Sequence, residues 1–213
     1  MSAALTAQVW TSQYDNPRTG ATLHETVLTP ANVNGKQFGK VFTLAVDGDL
    51  YAQPLYVPGV EIPGKGTHNV VFAATEHDSV YAFDAEGQPH EPLWRVNFLG
   101  SGATPVPVRD VNCPFITPEI GITPTPVIDM KIGTLYVLAR TKENDGLLSS
   151  RYVQRLHALA ITTGVEKFGG PVEIKASVKG TGAGSSNGEV AFDPLRELPR
   201  AGLALANGQV ILT

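Results

Sequence analysis

The sequence predicts an all-β protein of the β-propeller type, and three observations predict it. Residues 52–98 and 123–174 carry one pattern twice: a short apolar strand, a turn, VVFAAT or LYVLAR, then VYAFDAEG or LHALAITTG, then a closing strand. Four short strands per unit, with a turn rich in Gly, Asp or Thr before the last, describe a propeller blade. Twenty-two glycines and 16 prolines, with only 17% charged residues, suit many short strands joined by tight turns. A third copy begins at Ala201 as AGLALANGQVILT and covers two strands.

The elements follow in order. Residues 8–13 are a weak strand candidate, and 16–34 an ordered loop in which Thr29 caps one helical turn with Pro30 at its first position. FGKVFTLAV (38–46) reads as an outer strand, 46–49 as a turn and 51–57 as an inner strand. Residues 68–75 and 79–84 form a hairpin around Glu76, His77 and Asp78, and 92–98 closes the unit. The second unit runs from an inner strand at 122–128 to a closing strand at 165–174. Asn207-Gly208, between apolar runs, signals a two-residue hairpin.

The whole chain, 1–213, is thus expected to be one partial propeller. Residues 51–98 and 122–174 are complete blades. Residues 1–50 supply an arm and the outer strands, and 201–213 the inner strands, of a shared blade. A blade buries its faces only against neighbouring blades. Three blade equivalents do not close a ring, whereas two chains supply about six, inside the usual range. The expected partner is therefore a second copy of the chain, in a homodimer or a higher oligomer.

Composition narrows the function. A net charge of −4, with no long run of either sign, gives no basic footprint for nucleic acid. Cys113 is the single cysteine, so neither an intrachain disulfide nor a cysteine-built zinc site forms. No apolar run approaches the roughly 18 residues of a membrane helix, so no membrane partner is expected. MSAALTAQ lacks the charged and apolar regions of a signal peptide. The expectation is a soluble chain.

Loop length locates a site. In a four-stranded blade the turn between strands two and three, and the connection to the next blade, open on one face. Residues 99–121, 144–150 and 176–200 are then expected to crowd that face together with Glu76, His77 and Asp78. Two carboxylates around an imidazole suit a divalent cation such as zinc, calcium or manganese. Glu119, just before the inner strand, joins Glu76, His77 and Asp78 as a fourth candidate ligand, and His77 and Glu119 are the candidate catalytic pair. The plainer alternative has Glu76 and Asp78 building the turn, His77 solvated and Glu119 capping loop amides. Gln53, Thr123 and Thr125 read as polar lining of a central channel, and His157, in the slot of Tyr81, as packing. His24, His68 and His90 read as loop histidines. Gly184-Ser185-Ser186-Asn187-Gly188 matches a hydrolase elbow only as a string, without strand before or helix after. Gly180–184 lacks the helix and the Lys-Ser or Lys-Thr pair of a phosphate loop. Cys113 has no paired histidine to activate it.

Val80-Tyr81-Ala82-Phe83-Asp84 with Trp94, Leu156-His157-Ala158-Leu159 with Phe168, and stretches such as LTPANVN, YAQPLYV and VAFDPLR carry a resemblance. They are similar to the pyrroloquinoline-quinone-like repeat propellers, in particular the large exported bacterial quinoprotein-like proteins. The resemblance covers most of the chain and implies a propeller from an exported parent family. Complete quinone dehydrogenases of that superfamily have eight blades, a calcium ion and a tryptophan stacked on the cofactor. This chain has fewer blades, and Trp94 sits at the blade-packing slot, so bound pyrroloquinoline quinone is not expected. The leading expectation is a quinoprotein-like binding or assembly scaffold with a small-molecule site on the long-loop face. The alternative is a divalent-metal-dependent hydrolase of esters, lactones or phosphotriesters, the cation polarising the ester oxygen or activating water.

Overall fold

Backbone pairing builds the chain from antiparallel β-sheets, none of them closed on itself. The computed structural model describes residues 8–23, 25–112, 115–144, 146 and 149–213. The first sheet is an up-and-down meander of β1 (Leu55–Ile62), β2 (Gly66–Ala74), β3 (Ser79–Asp84) and β4 (Trp94–Asn97), hydrogen-bonded in chain order. The second holds β5 (Ala103–Pro107), β6 (Glu119–Ile120), β7 (Val127–Asp129), β8 (Thr134–Asn144), β9 (Ser150–Ala160) and β10 (Val172–Glu173). Within it β7, β8, β9 and β10 repeat the meander, and β5 also pairs with β8, through Ala103–Glu143 to Pro105–Thr141. Two hairpins follow, β11 (Ser177–Lys179) with β12 (Glu189–Ala191), and β13 (Ala204–Ala206) with β14 (Gln209–Ile211). The one helix among the described residues is a single turn, α1 (Val108–Val111).

The two large sheets share one apolar core. Val70, Phe72, Val80 and Ala82 of the first pack with Leu135, Val137, Ala139 and Leu159 of the second. These positions are two apart along each strand, so they lie on one face of the pleat. Trp94 joins this core, its ring tilted against Phe72 and its Nε1–H donated to the Ile161 carbonyl at 2.9 Å. It is an inter-sheet packing residue, as its slot in the repeat predicts. On the far face of β8 and β9, Leu138 packs with Val127 and Leu203, extended by Leu156, Leu205 and Val210, which seats the β13–β14 hairpin. The hairpin turns on Asn207 and Gly208, with φ of 52° and 75°, the backbone a two-residue primed turn requires.

Several expected elements take another form. Residues 38–46, expected as an outer strand, form no strand among the described residues. Phe42 sits against Gly87 and edge-on to His90. Beyond it, Asp47 is fastened by Thr75 Oγ1 (2.9 Å), Ser79 Oγ (2.5 Å) and Arg95 Nη2 (2.6 Å). The 8–13 candidate reduces to a bridge between Val9 and Tyr56. The 99–121 connection is not a free loop, since β5 pairs with β8 and β6 pairs in turn with β5. The connection expected at 144–150 does link β8 to β9, whose outermost pair is Asn144–Ser150. Thr29 does cap a helical turn, accepting from Val33 N–H at its carbonyl. No helix among the described residues is long and apolar enough to cross a membrane.

Candidate functional site

Glu76, His77 and Asp78 lie in the tight turn between β2 and β3, and the alternation of side chains there splits them. Glu76 and Asp78 point inward and are essentially inaccessible, 1% and 0% exposed, while His77 points out. Glu76 Oε2 accepts the Gly121 N–H (2.7 Å) and the Thr123 hydroxyl (3.0 Å). Asp78 Oδ1 accepts the Arg140 N–H at 3.4 Å. Burial pushes the Asp78 carboxyl well above its ordinary range, with Glu76, Glu119 and Asp47 adding repulsion. Burial also raises Glu76, against its two hydrogen bonds. Of four buried side-chain polar atoms without a partner among the described residues, three are Glu76 Oε1, Asp78 Oδ2 and Arg140 Nη1. Unmet polar groups thus concentrate behind the turn, where each costs free energy. Arg140 as a whole is 1% exposed, and its guanidinium is held by the carbonyls of Pro194 and Leu195.

His77 faces the opposite way. Its Nδ1–H donates to Glu119 Oε1 at 2.7 Å, and both side chains are partly exposed. Glu119 is delivered by β6, held in register by the pair Pro107–Glu119. The two residues line a cleft of about 730 Å³ that also takes in Leu99, Arg109, Lys142 and Ser150. Two of the three long connections named above therefore do meet at the turn. The third, residues 176–200, does not line this cleft and instead packs behind β8 and β9, where Gln154 Nε2 donates to the Pro194 and Glu197 carbonyls.

The four candidate metal ligands thus divide into two pairs on opposite sides of the turn. Among the described residues no three His, Cys, Asp or Glu side chains group as a metal-holding set. His77 with Glu119 on its second nitrogen does fit a metal-binding histidine with its outer carboxylate, but the three protein ligands of a catalytic zinc site are not assembled.

The remaining candidates have structural partners. Thr123 binds Glu76, and Thr125 Oγ1 accepts the Gln53 N–H at 2.9 Å. Gln53 Oε1 accepts the Gln13 N–H, so these residues tie the N-terminal arm to the sheets. His68 is not a loop residue but part of β2, its Nδ1 2.6 Å from Asp84 Oδ2. The Gly184–Gly188 string lies in the β11–β12 turn, where Ser186 bridges to Glu189, and has no following helix. Cys113 and His24 lie outside the described residues.

Sequence reasoning missed the pairing of Glu166, at 2.9 Å, with His157, which lines a second cleft. The repeat alignment put His157 in a packing slot, which is right for its stack on Phe98. A carboxylate nine residues along gave the one available signal. Searches against protein-family models, curated proteins and solved structures each match nothing to this chain.

Proposed function

We propose that this chain is a quinoprotein-like β-propeller module, a binding scaffold that takes a small anionic molecule in the His77–Glu119 cleft. The single observation carrying the site is an imidazole gripped by a carboxylate at 2.7 Å on the wall of a 730 Å³ cleft. That volume lies within the range of small-molecule sites. Arg109 lines the cleft with a side chain 82% exposed and only loosely paired, Nε to Asp110 Oδ1 at 3.8 Å, so its guanidinium can turn to an anion. Support for blades comes from two successive four-stranded meanders packed face to face through one core. Phe42 of segment 38–46 packs at the β3–β4 connection of the first sheet, and the β13–β14 hairpin packs on the second. Val41 and Phe38 on that segment are 88% and 57% exposed, which fits a second copy completing the ring.

A hydrolytic reading is favoured by the same dyad. With Glu119 holding Nδ1–H, the His77 Nε2 lone pair is free to accept a proton from water attacking an ester. A zinc, calcium or manganese ion would take His77 Nε2 as its first protein ligand, with Glu119 orienting the ring. The ligand set is incomplete for it, and no step is assigned to it.

Titration with acetate and phosphate by calorimetry, alongside p-nitrophenyl acetate turnover with and without chelator, separates these readings. Binding that weakens in Arg109→Ser and His77→Ala, without turnover, is the scaffold result. Turnover lost in His77→Ala makes the site hydrolytic, and loss on chelation adds the metal. Neither binding nor turnover sinks the site. Light scattering on the eluting peak tests the ring separately: a folded monomer rules out closure by self-association.

A further inference from the structure

The second cleft, about 370 Å³, adjoins the first and shares Ala103 and Asn144 with it. Its floor is one face of the β8–β9 hairpin. Directly opposed residues of an antiparallel pair point the same way, so Val137 with His157 and Ala139 with Arg155 stand on that face. Thr141 and Glu143 continue it. Phe98 forms the facing wall, its ring stacked on the His157 imidazole at 3.7 Å and 15°. The Phe98 N–H donates to the Asp78 carbonyl at 2.9 Å, so the stack is anchored at its backbone.

Glu166 fixes the imidazole from behind. Its Oε2 accepts the His157 Nδ1–H at 2.9 Å, and its Oε1 accepts the Ala158 N–H at 2.8 Å. With the proton on Nδ1, Nε2 carries a lone pair. Burial draws the imidazole below its ordinary pKa, against the pull of Glu166. Nε2 has no partner among the described residues, and it is the ring atom left for the cleft. The nearby charges are already matched: Arg155 binds both Glu143 oxygens, and the Thr141 hydroxyl donates to Glu143 Oε1 at 3.0 Å. An anion therefore meets a neutralised guanidinium, and a cation meets carboxylates already engaged. What remains is one strong neutral acceptor among groups, such as the Asn144 amide, that both donate and accept.

We propose that this cleft binds a neutral polyhydroxylated ligand of monosaccharide size, one hydroxyl donating to His157 Nε2. Adjacent hydroxyls donate and accept together, which suits a lone acceptor flanked by an amide and a satisfied ion pair. The volume lies in the range of small-molecule sites, and the rigid Phe98–His157 stack carries little ordering cost. The site stands independently of what the first cleft binds.

The test is saturation-transfer NMR with methyl glucoside, methyl galactoside and myo-inositol as probes, alongside the long-range nitrogen spectrum of the histidines. At least one probe is expected to bind with a dissociation constant in the millimolar range or tighter and to shift His157 Nε2 more than Nδ1. His157→Phe, which keeps the stack on Phe98, is expected to weaken binding by about tenfold, the loss of one hydrogen bond. The proposal is overturned if no probe saturates, if His157→Phe binds equally, or if phosphate displaces the probe. A wild-type spectrum placing the proton on Nε2 overturns it too, whether or not the variant folds.

Discussion

Replacing Gly121 by Ala probes the packing that holds the whole candidate site. A Cβ built there meets the Glu76 carbonyl oxygen at 2.3 Å, the Glu76 carbonyl carbon at 2.8 Å and Asp78 Oδ1 at 2.8 Å. Two of these atoms are backbone in a turn pinned on both sides. Glu76 N–H donates to the Asp49 carbonyl at 2.9 Å, and Asp78 N–H to the Thr75 carbonyl at 3.1 Å. Carbon and oxygen must separate by at least about 0.7 Å, which is a backbone movement rather than a rotamer change. Overpacking of this kind costs about 1–3 kcal/mol, and a fixed carbonyl places Gly121→Ala near the upper end, at about 3 kcal/mol. At a urea dependence of about 2 kcal/mol per molar, the midpoint falls by roughly 1.5 M. Tryptophan fluorescence during urea unfolding reads it, with Gly182→Ala as control because nothing lies within 4 Å of a Cβ there. The displaced Gly121 also carries Glu119 two residues upstream, so the His77 ring nitrogen shifts are expected to change in folded Gly121→Ala. A midpoint equal to that of the control would refute the claim that this contact is unyielding.

Two further outcomes follow from the buried groups. Asp78, its carboxyl raised chiefly by burial, keeps a proton in the folded state that the unfolded chain releases. Stability is therefore greatest below the ordinary carboxyl pKa and declines as pH rises through the folded-state value. Asp78→Asn suits the positive φ of 54° at this position and is expected to flatten that decline and raise Tm at neutral pH. Thermal melts from about pH 4 to about pH 8 check it, and an unchanged slope counts against a raised Asp78. Trp94→Phe leaves the Ile161 carbonyl without its 2.9 Å donor between the sheets. The expected cost is about 1–3 kcal/mol by chemical unfolding, and a loss below about 0.5 kcal/mol would show that bond to be dispensable.

By itself the sequence determined the all-β class and the chain order of the main strand runs. The duplicated apolar patterns mark two four-stranded meanders, Asn207-Gly208 marks a hairpin, and the slot of Trp94 marks an inter-sheet residue. Each of these depends on local periodicity or turn chemistry, which a linear string carries in full. It also brought His77, Glu119 and two of the long connections to one cleft, because repeat topology dictates which loops share a face. Only the tertiary structure decided the rest. Side chains of adjacent residues in a tight turn diverge, so Glu76 and Asp78 went into the protein while His77 went to the cleft. Residues 38–46 carry strand-like alternation, yet a ladder needs a neighbouring edge, and the neighbours that folding supplied to Phe42 were Gly87 and the His90 ring. The 99–121 connection became strand through the free edge of β8, a partner that no pattern within those residues announces. His157 looked like packing because its stack on Phe98 is packing. Its second role depends on a carboxylate and a cleft that exist only once β9 has been laid beside β8.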